Sequence, residues 1–151
     1  MISVALVRHG ETAWNGERRL QGQKDIALSA VGREQARGLA AALEAVAPDR
    51  VVVSGLRRTA ETARALGLAP DAHDGRLDEA SLGEWEGRYS ADIRDESPED
   101  YAAWRAGRLT PPGGESFEQL TRRVTEGLFA AVADCTQAGG KALAIVTHGG
   151  P

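Results

Sequence analysis

The chain holds 151 residues, 42% hydrophobic and 26% charged, which is one domain's worth of ordinary globular composition and excludes disordered and fibrous classes. Eighteen basic against 22 acidic residues give a net charge of −4, which argues against a nucleic-acid binder, and no apolar run approaches the ~18 residues of a membrane span. The single cysteine, Cys135, excludes an internal disulfide and fits a reducing compartment.

Residues 2–7 (I-S-V-A-L-V) are β-rich and too short for a helix, so they read as a buried strand. They lack the basic lead and length of a signal peptide, so a cytoplasmic location is expected. Residues 8–28 are polar and Gly-punctuated, a long loop of the kind that usually carries function. Ser29 predicts the N-cap of a helix running to about Val46, with Val31, Leu39, Leu43 and Val46 on one face and Pro48 beyond its end. Residues 50–54 (R-V-V-V-S) read as a second strand and 56–66 as a helix carrying Ala60, Ala63 and Leu66. Residues 70–96 read as irregular. Ser97-Pro98-Glu99-Asp100 supplies an N-cap, an N1 proline and an acidic first turn, so a helix is expected over about 98–106. After the break at 111–114 (P-P-G-G), Ser116 caps a long helix with Phe117, Leu120, Val124, Leu128, Ala131 and Cys135 at helical spacing. Gly139-Gly140 end it, and 142–146 (A-L-A-I-V) form a third buried strand. The alternation predicts an α/β domain around a parallel sheet. Such a sheet needs both faces covered, yet the chain stops just past a strand. It is therefore expected to be a shortened form of a longer protein, poorly soluble or inactive by itself.

Each strand runs straight into residues suited to anion chemistry: Arg8-His9-Gly10-Glu11-Thr12, Ser54-Gly55-Leu56-Arg57-Arg58 and Thr147-His148-Gly149-Gly150. Ligands of open α/β sheets bind at the carboxyl ends of strands, so the three segments are expected to converge. Guanidiniums grip phosphate oxygens in pairs, and the glycines beside both histidines let backbone approach a ligand closely.

The motifs V-R-H-G-E-T-A-W-N (7–15), R-L-Q-G (19–22), L-S-x-x-G-x-x-Q-A (28–36), S-G-L-R-R-T-A-E-T-A (54–63), L-D-E-A-S-L-G-E-W-E-G (77–87), G-G-E-S-F (113–117) and V-T-H-G-G (146–150) occur in order. Together they resemble the histidine phosphatase superfamily, the phosphoglycerate-mutase-like group, over the chain from residue 2 to its end. The resemblance implies a three-layer sandwich with a mainly parallel central sheet and helices on both faces, here a single domain over 1–151 lacking its C-terminal part. It implies His9 as a nucleophile that forms a phosphohistidine, with Arg8, Arg58 and His148 binding the phosphoryl oxygens. The family spacing selects Arg58 over Arg57, although Thr59 stands where the family usually has Ala. Glu79 matches the proton donor, while Thr12, Asn15, Gln21, Gly22 and Gly149 match the substrate side. No metal or other cofactor is implied. R-L-Q-G-Q and D-E-A-S-L-G-E-W-E-G are similar to the phosphatase branch, which implies hydrolysis of phosphomonoesters; a cofactor-dependent phosphoglycerate mutase is the alternative. A non-catalytic phosphate- or protein-binding module is the alternative of another class. The expected partner is a small phosphorylated metabolite, with no nucleic acid or membrane, and a homodimer stays open.

Other residues read more plainly. Glu84 and Glu86 are rival acids, with Glu86 the more structural. His73 reads as exposed, Arg18, Arg19 and Arg57 most simply as exposed charges, any of which could widen the basic mouth, Cys135 as core, Trp14 as the aromatic near the pocket, and Trp85 and Trp104 as packing. Sixteen of the 18 basic residues are Arg, which GC-rich coding explains more simply than oxyanion binding does.

Overall fold

A computed structural model describes residues 1–150. Its frame is a parallel four-stranded sheet in the order β1-β4-β2-β3, made of β1 (Ser3–Arg8), β2 (Arg50–Ser54), β3 (Ala72–Asp74) and β4 (Ala142–Thr147). Side chains alternate across a strand, and here that alternation builds two cores. Val51, Val53, Ala144 and Val146 face one side and pack with Ala36, Leu43, Ala60 and Ala63. These last residues come from α2 (Ala30–Gly38), α3 (Ala40–Val46) and α4 (Arg57–Ala65). Val52, Leu143 and Ile145 face the other side and meet Ala131 and Cys135 of α7 (Phe117–Gln137). The result is the expected three-layer sandwich. Burying such runs on both faces is what β-branched strands of this length are suited to.

A third cluster lies off the sheet. Trp85, Trp104 and Ile93 gather Ala80 and Leu82 beneath α5 (Ser90–Glu96) and α6 (Pro98–Arg105). Trp85 and Trp104 meet edge to face at 5.5 Å, a favoured aromatic geometry. The cluster seats α6 beside the carboxyl ends of the strands.

Several expectations are corrected in detail. The helix predicted over 29–46 is two helices joined at Leu39, whose N–H bonds the Ala36 carbonyl in a tighter turn; Gly38, a weak helix former, immediately precedes the joint. Its buried face is small rather than aliphatic: Gly32 and Ala36 are buried, whereas Val31 and Leu39 are 54% and 49% exposed. The stretch 70–96 holds an edge strand, β3, and the helix α5, which buries only Ile93. The loop 8–28 contains one turn of helix, α1 (Ala13–Gly16). Ser97 makes no side-chain cap bond, so Pro98 at the first position starts α6 without one. Ser116 does cap α7, in a reciprocal pair with Gln119.

On the α7 side the cover stops short of β1, leaving Val4 and Leu6 39% and 67% exposed. The folded surface, 8082 Å², exceeds the roughly 7,400 Å² usual at this mass. Among the described residues no helix is long and apolar enough to cross a membrane.

Candidate active site

The sheet register brings the two key histidines side by side. Arg8 pairs with Thr147 across β1 and β4, and His9 N–H continues that ladder to the Thr147 carbonyl at 3.0 Å. His9 and His148 therefore leave adjacent strand ends at one level, and their rings meet at 5.1 Å between centroids. β2 lies on the far side of β4, and its last residue, Ser54, has its Oγ 2.8 Å from Nε2 of His148.

Arg58 enters from the first turn of α4. It is fully buried, and its two terminal nitrogens donate to the carbonyls of Gly22 and Lys24, both at 2.8 Å. One turn on, Thr62 donates to the Arg58 carbonyl at 2.7 Å and accepts from Gly10 N–H at 3.0 Å. The S-G-L-R-R-T-A-E-T-A segment thus holds both the cation and the loop that follows His9. Arg58 Nε is buried without a partner.

Arg123 of α7 clamps the backbone that presents Glu79. It donates to the carbonyls of Arg76, Asp78 and Glu79 at 2.8–2.9 Å while Glu115 holds its other edge at 2.6 and 2.7 Å. Glu79 faces the cleft, with one carboxylate oxygen accepting from Ala80 N–H at 2.8 Å.

Arg8, His9, Arg58 and Glu79 line one cleft enclosing about 140 Å³. His148 touches His9 but lines the neighbouring apolar groove between β4 and α7. Among the described residues Glu79 is the one side-chain carboxylate on the cleft wall. Glu84 is exposed and lines a separate groove, and Glu86 is spent on backbone, accepting from the N–H groups of Gln23 and Leu82.

The electrostatics follow from burial among cations. His9 is pushed down to about 4, chiefly by burial; the Gly10 carbonyl pulls the other way, and Arg58 and Arg8 add to the lowering. A carbonyl only accepts, so its 2.7 Å bond to His9 Nδ1 puts the ring proton on Nδ1 and leaves the Nε2 lone pair free. His148 falls to about 2, again mainly by burial and then by Arg58 and His9. Burial raises Glu79, against the Ala80 N–H and the two arginines. A neutral histidine and a carboxyl whose protonated form burial favours therefore face one cationic cleft.

The predicted substrate residues divide. Asn15, Gln21 and Gly22 line the cleft. Gly22 has φ +52, and a Cβ there would strike the Glu86 carboxylate. Thr12 does not line the cleft: it is fully buried, caps α1, and donates to Gln21 Oε1 at 2.7 Å. That bond leaves the Gln21 amide nitrogen free to face the cleft. Gly149 lies in the apolar groove; a Cβ on it would sit 3.0 Å from Arg8 Nε, so it makes room for that guanidinium. Trp14 packs over Gly87 rather than lining the cleft, and Trp104 does line it. Arg19 is not a free surface charge: it lines the cleft with its guanidinium 4.5 Å from the Tyr89 ring and 2.6 Å from Glu17. Arg105 and Ser54 were not singled out by sequence. Ser54 sits in a recognisable motif, whereas Arg105 reaches the site only through the packing of α6. Among the described residues no three His, Cys, Asp or Glu side chains cluster as a metal site would need.

Comparison with known proteins shows the family. The histidine phosphatase superfamily (branch 1) matches residues 4–151. The chain is 39% identical to the probable phosphoglycerate mutase GpmB of Enterobacter sp. (strain 638), covering 99% of this chain and 70% of that one. It is 37% identical to the glucosyl-3-phosphoglycerate phosphatase of Mycolicibacterium vanbaalenii, over 97% of this chain and 69% of that protein. The structure of a mycobacterial glucosyl-3-phosphoglycerate phosphatase with VO3 superposes with a TM-score of 0.85 at 36% identity, over 95% of this chain and 74% of that one. The chain belongs to the histidine phosphatase superfamily, branch 1.

Proposed function

We propose that the protein is a metal-independent phosphomonoesterase that works through a phosphohistidine on His9. The observation that carries this reading is the pairing of a histidine held neutral, with Nε2 unprotonated, and a buried carboxyl that burial pushes toward its protonated form, in the same arginine-lined cleft. Nε2 attacks phosphorus as the bond from phosphorus to the ester oxygen breaks, and Glu79 gives its proton to the departing alkoxide. Water then attacks the phosphohistidine, the N–P bond breaks, and the Glu79 carboxylate takes the water proton. Arg8, Arg58 and His148 stabilise the charge that spreads over the equatorial oxygens.

The relative named as a probable mutase favours a second reading, a phosphoglycerate mutase. The two share the first step and differ in whether water or a second phosphoglycerate accepts the phosphoryl group. The sequences R-L-Q-G-Q and D-E-A-S-L-G-E-W-E-G support water.

The test is phosphate release in EDTA from a phosphomonoester panel containing 3-phosphoglycerate, with His9→Ala as control. Release that disappears in the control is expected. Interconversion of 2- and 3-phosphoglycerate without release would select the mutase. No phosphoryl label on His9 would overturn both and leave a binding module.

A further inference from the structure

A guanidinium has five N–H donors, and in Arg123 each meets its own acceptor. Nε and one terminal N–H reach the two oxygens of Glu115 at 2.6 and 2.7 Å. The other three go to the carbonyls of Arg76, Asp78 and Glu79 at 2.8–2.9 Å. The Leu77 carbonyl, left out of that set, accepts from Thr147 Oγ1 at 2.8 Å. Side chains therefore fix four consecutive carbonyls ending at Glu79. Glu115 extends the hold past Glu79: its carboxylate accepts from Ser81 N–H at 3.2 Å, and its own N–H donates to the Ser81 carbonyl at 2.9 Å.

No side chain holds the Glu79 carboxylate itself among the described residues; it accepts from backbone, with Ala80 N–H at 2.8 Å. Where that carboxyl sits is set by the course of the main chain through residues 76–81. Thr147 ties the same stretch to the nucleophile, because its own carbonyl takes the His9 N–H at 3.0 Å. Arg123 lies outside the cleft and so touches no substrate. Its bonds and those of Glu115 converge on the backbone either side of the one acid the reaction needs.

We infer that Arg123, aligned by Glu115 of the G-G-E-S-F motif, is a positioning residue that holds the Glu79 carboxyl in reach of the leaving oxygen. The inference rests on the phosphatase reading and adds to it the device that places the proton.

The test compares kcat/KM for 3-phosphoglycerate and p-nitrophenyl phosphate, since kcat/KM covers the steps up to the phosphohistidine and only the first ester needs its leaving oxygen protonated. Arg123→Lys keeps the charge but brings three donors to five acceptors. It is expected to lower kcat/KM about tenfold for 3-phosphoglycerate, the effect of a misplaced reacting group, and to leave p-nitrophenyl phosphate near the native value. Glu115→Gln should show the same selectivity in smaller measure, and it carries the test if Arg123→Lys does not fold. In a Glu79→Gln background Arg123→Lys should cost nothing further with 3-phosphoglycerate, because the two residues act through one proton. Arg122→Ala, the adjacent exposed arginine paired with Glu118, keeps the native values for both esters. Equal losses for the two esters, or a loss that adds in full to that of Glu79→Gln, would overturn the inference and leave a purely structural clamp.

A second readout needs no turnover. The Glu79 carboxyl, raised by burial, can be followed by carbon-13 NMR. In Arg123→Lys, and less so in Glu115→Gln, its titration is expected to move down toward the ordinary carboxylate range as the loosened segment admits water; in Arg122→Ala it stays where it is. An unmoved titration in Arg123→Lys would overturn the inference. Absence of phosphate release from every phosphomonoester would instead defeat the phosphatase reading, and the titration would still decide whether Arg123 places Glu79.

Discussion

Gly10 and Gly32 lie backbone against backbone, where the loop after His9 presses on the first turn of α2. A Cβ on Gly10 would run into the Gly32 carbonyl, and one on Gly32 would run into the Glu11 carbonyl and sit 2.7 Å from the Glu11 nitrogen. Backbone atoms cannot swing aside as side-chain ends can, so Gly32→Ala is expected to cost about 1–3 kcal/mol as an overpacked contact. At this chain length that lowers Tm by roughly 2–4 °C per kcal/mol. Turnover should fall too, since the displaced segment carries His9. Gly38, in the same helix, has nothing within 4 Å of its would-be Cβ; Gly38→Ala should be neutral or stabilise by up to about 1 kcal/mol. Thermal melts that fail to separate the two variants would dismiss this account of the loop.

The two histidines also make stability depend on pH. Burial lowers His9 from 6.5 to about 4 and His148 to about 2. Below pH 6.5 the unfolded chain takes up protons at both sites while the folded chain stays neutral at them. Stability is therefore fully present above about pH 7 and declines as pH falls from 6.5. The slope is up to about 1.4 kcal/mol per pH unit for each histidine, ending near pH 4 for His9 and continuing below it for His148. Urea unfolding at pH 7, 6 and 5 should show the decline, and His148→Gln should make it shallower. An unaltered slope in that variant would remove His148 from the explanation.

The architecture was legible in sequence because the strands β1, β2 and β4 are apolar runs bounded by turn signals, and α7 carries a capping pair and a long periodic face. β3 was not, since A-H-D has no strand character and pairs only because β2 presents an unpaired edge. α5 was missed for a related reason: one buried residue, Ile93, leaves no period to read. In the site, residues that follow directly on strand ends could be placed together from topology, and His9 and His148 are of that kind; Arg58, in the first turn of α4, was separated from Arg57 only by the family spacing. Arg105 could not, because its position depends on Trp104 docking against Trp85, a contact between segments 19 residues apart that no local pattern announces. Thr12 was assigned to substrate from its motif, and its burial beneath α1 could be seen only once the Gln21 amide was found holding it.

Ser54 fixes the ring of His148. Its Oγ lies 2.8 Å from Nε2, and it is itself held by Thr59 Oγ1 at 3.1 Å and Leu56 N–H at 3.2 Å. Ser54→Ala removes the contact that sets the ring's rotation, so kcat should fall about tenfold, the effect of misplacing a group that stabilises developing charge. Thr59→Val is the comparator: it removes a buried hydroxyl at a similar cost of about 1 kcal/mol in stability but leaves the Ser54–His148 bond. Steady-state kinetics should find the larger loss in Ser54→Ala. Equal losses would mean that both residues act through stability alone.

The proposed mechanism gives Glu79 two opposite tasks, and pH and leaving group separate them. Burial raises its carboxyl against the pull of the Ala80 N–H, Arg58, Gly150 and Arg8, so kcat/KM should fall as pH rises through its raised value. On the acid side kcat/KM should fall as His9 protonates near pH 4. Glu79→Gln keeps the shape but can neither give nor take a proton. An alkyl phosphate needs its leaving oxygen protonated, so its hydrolysis should drop by roughly 10²–10⁴. p-Nitrophenolate leaves without help, so the variant should still phosphorylate His9 with p-nitrophenyl phosphate and then stall, lacking a base for the attacking water. Stopped-flow absorbance is expected to show a burst approaching one nitrophenolate per chain, followed by slow turnover. A steady rate with no burst, combined with an intact alkaline limb, would take the proton away from Glu79 and require another acid.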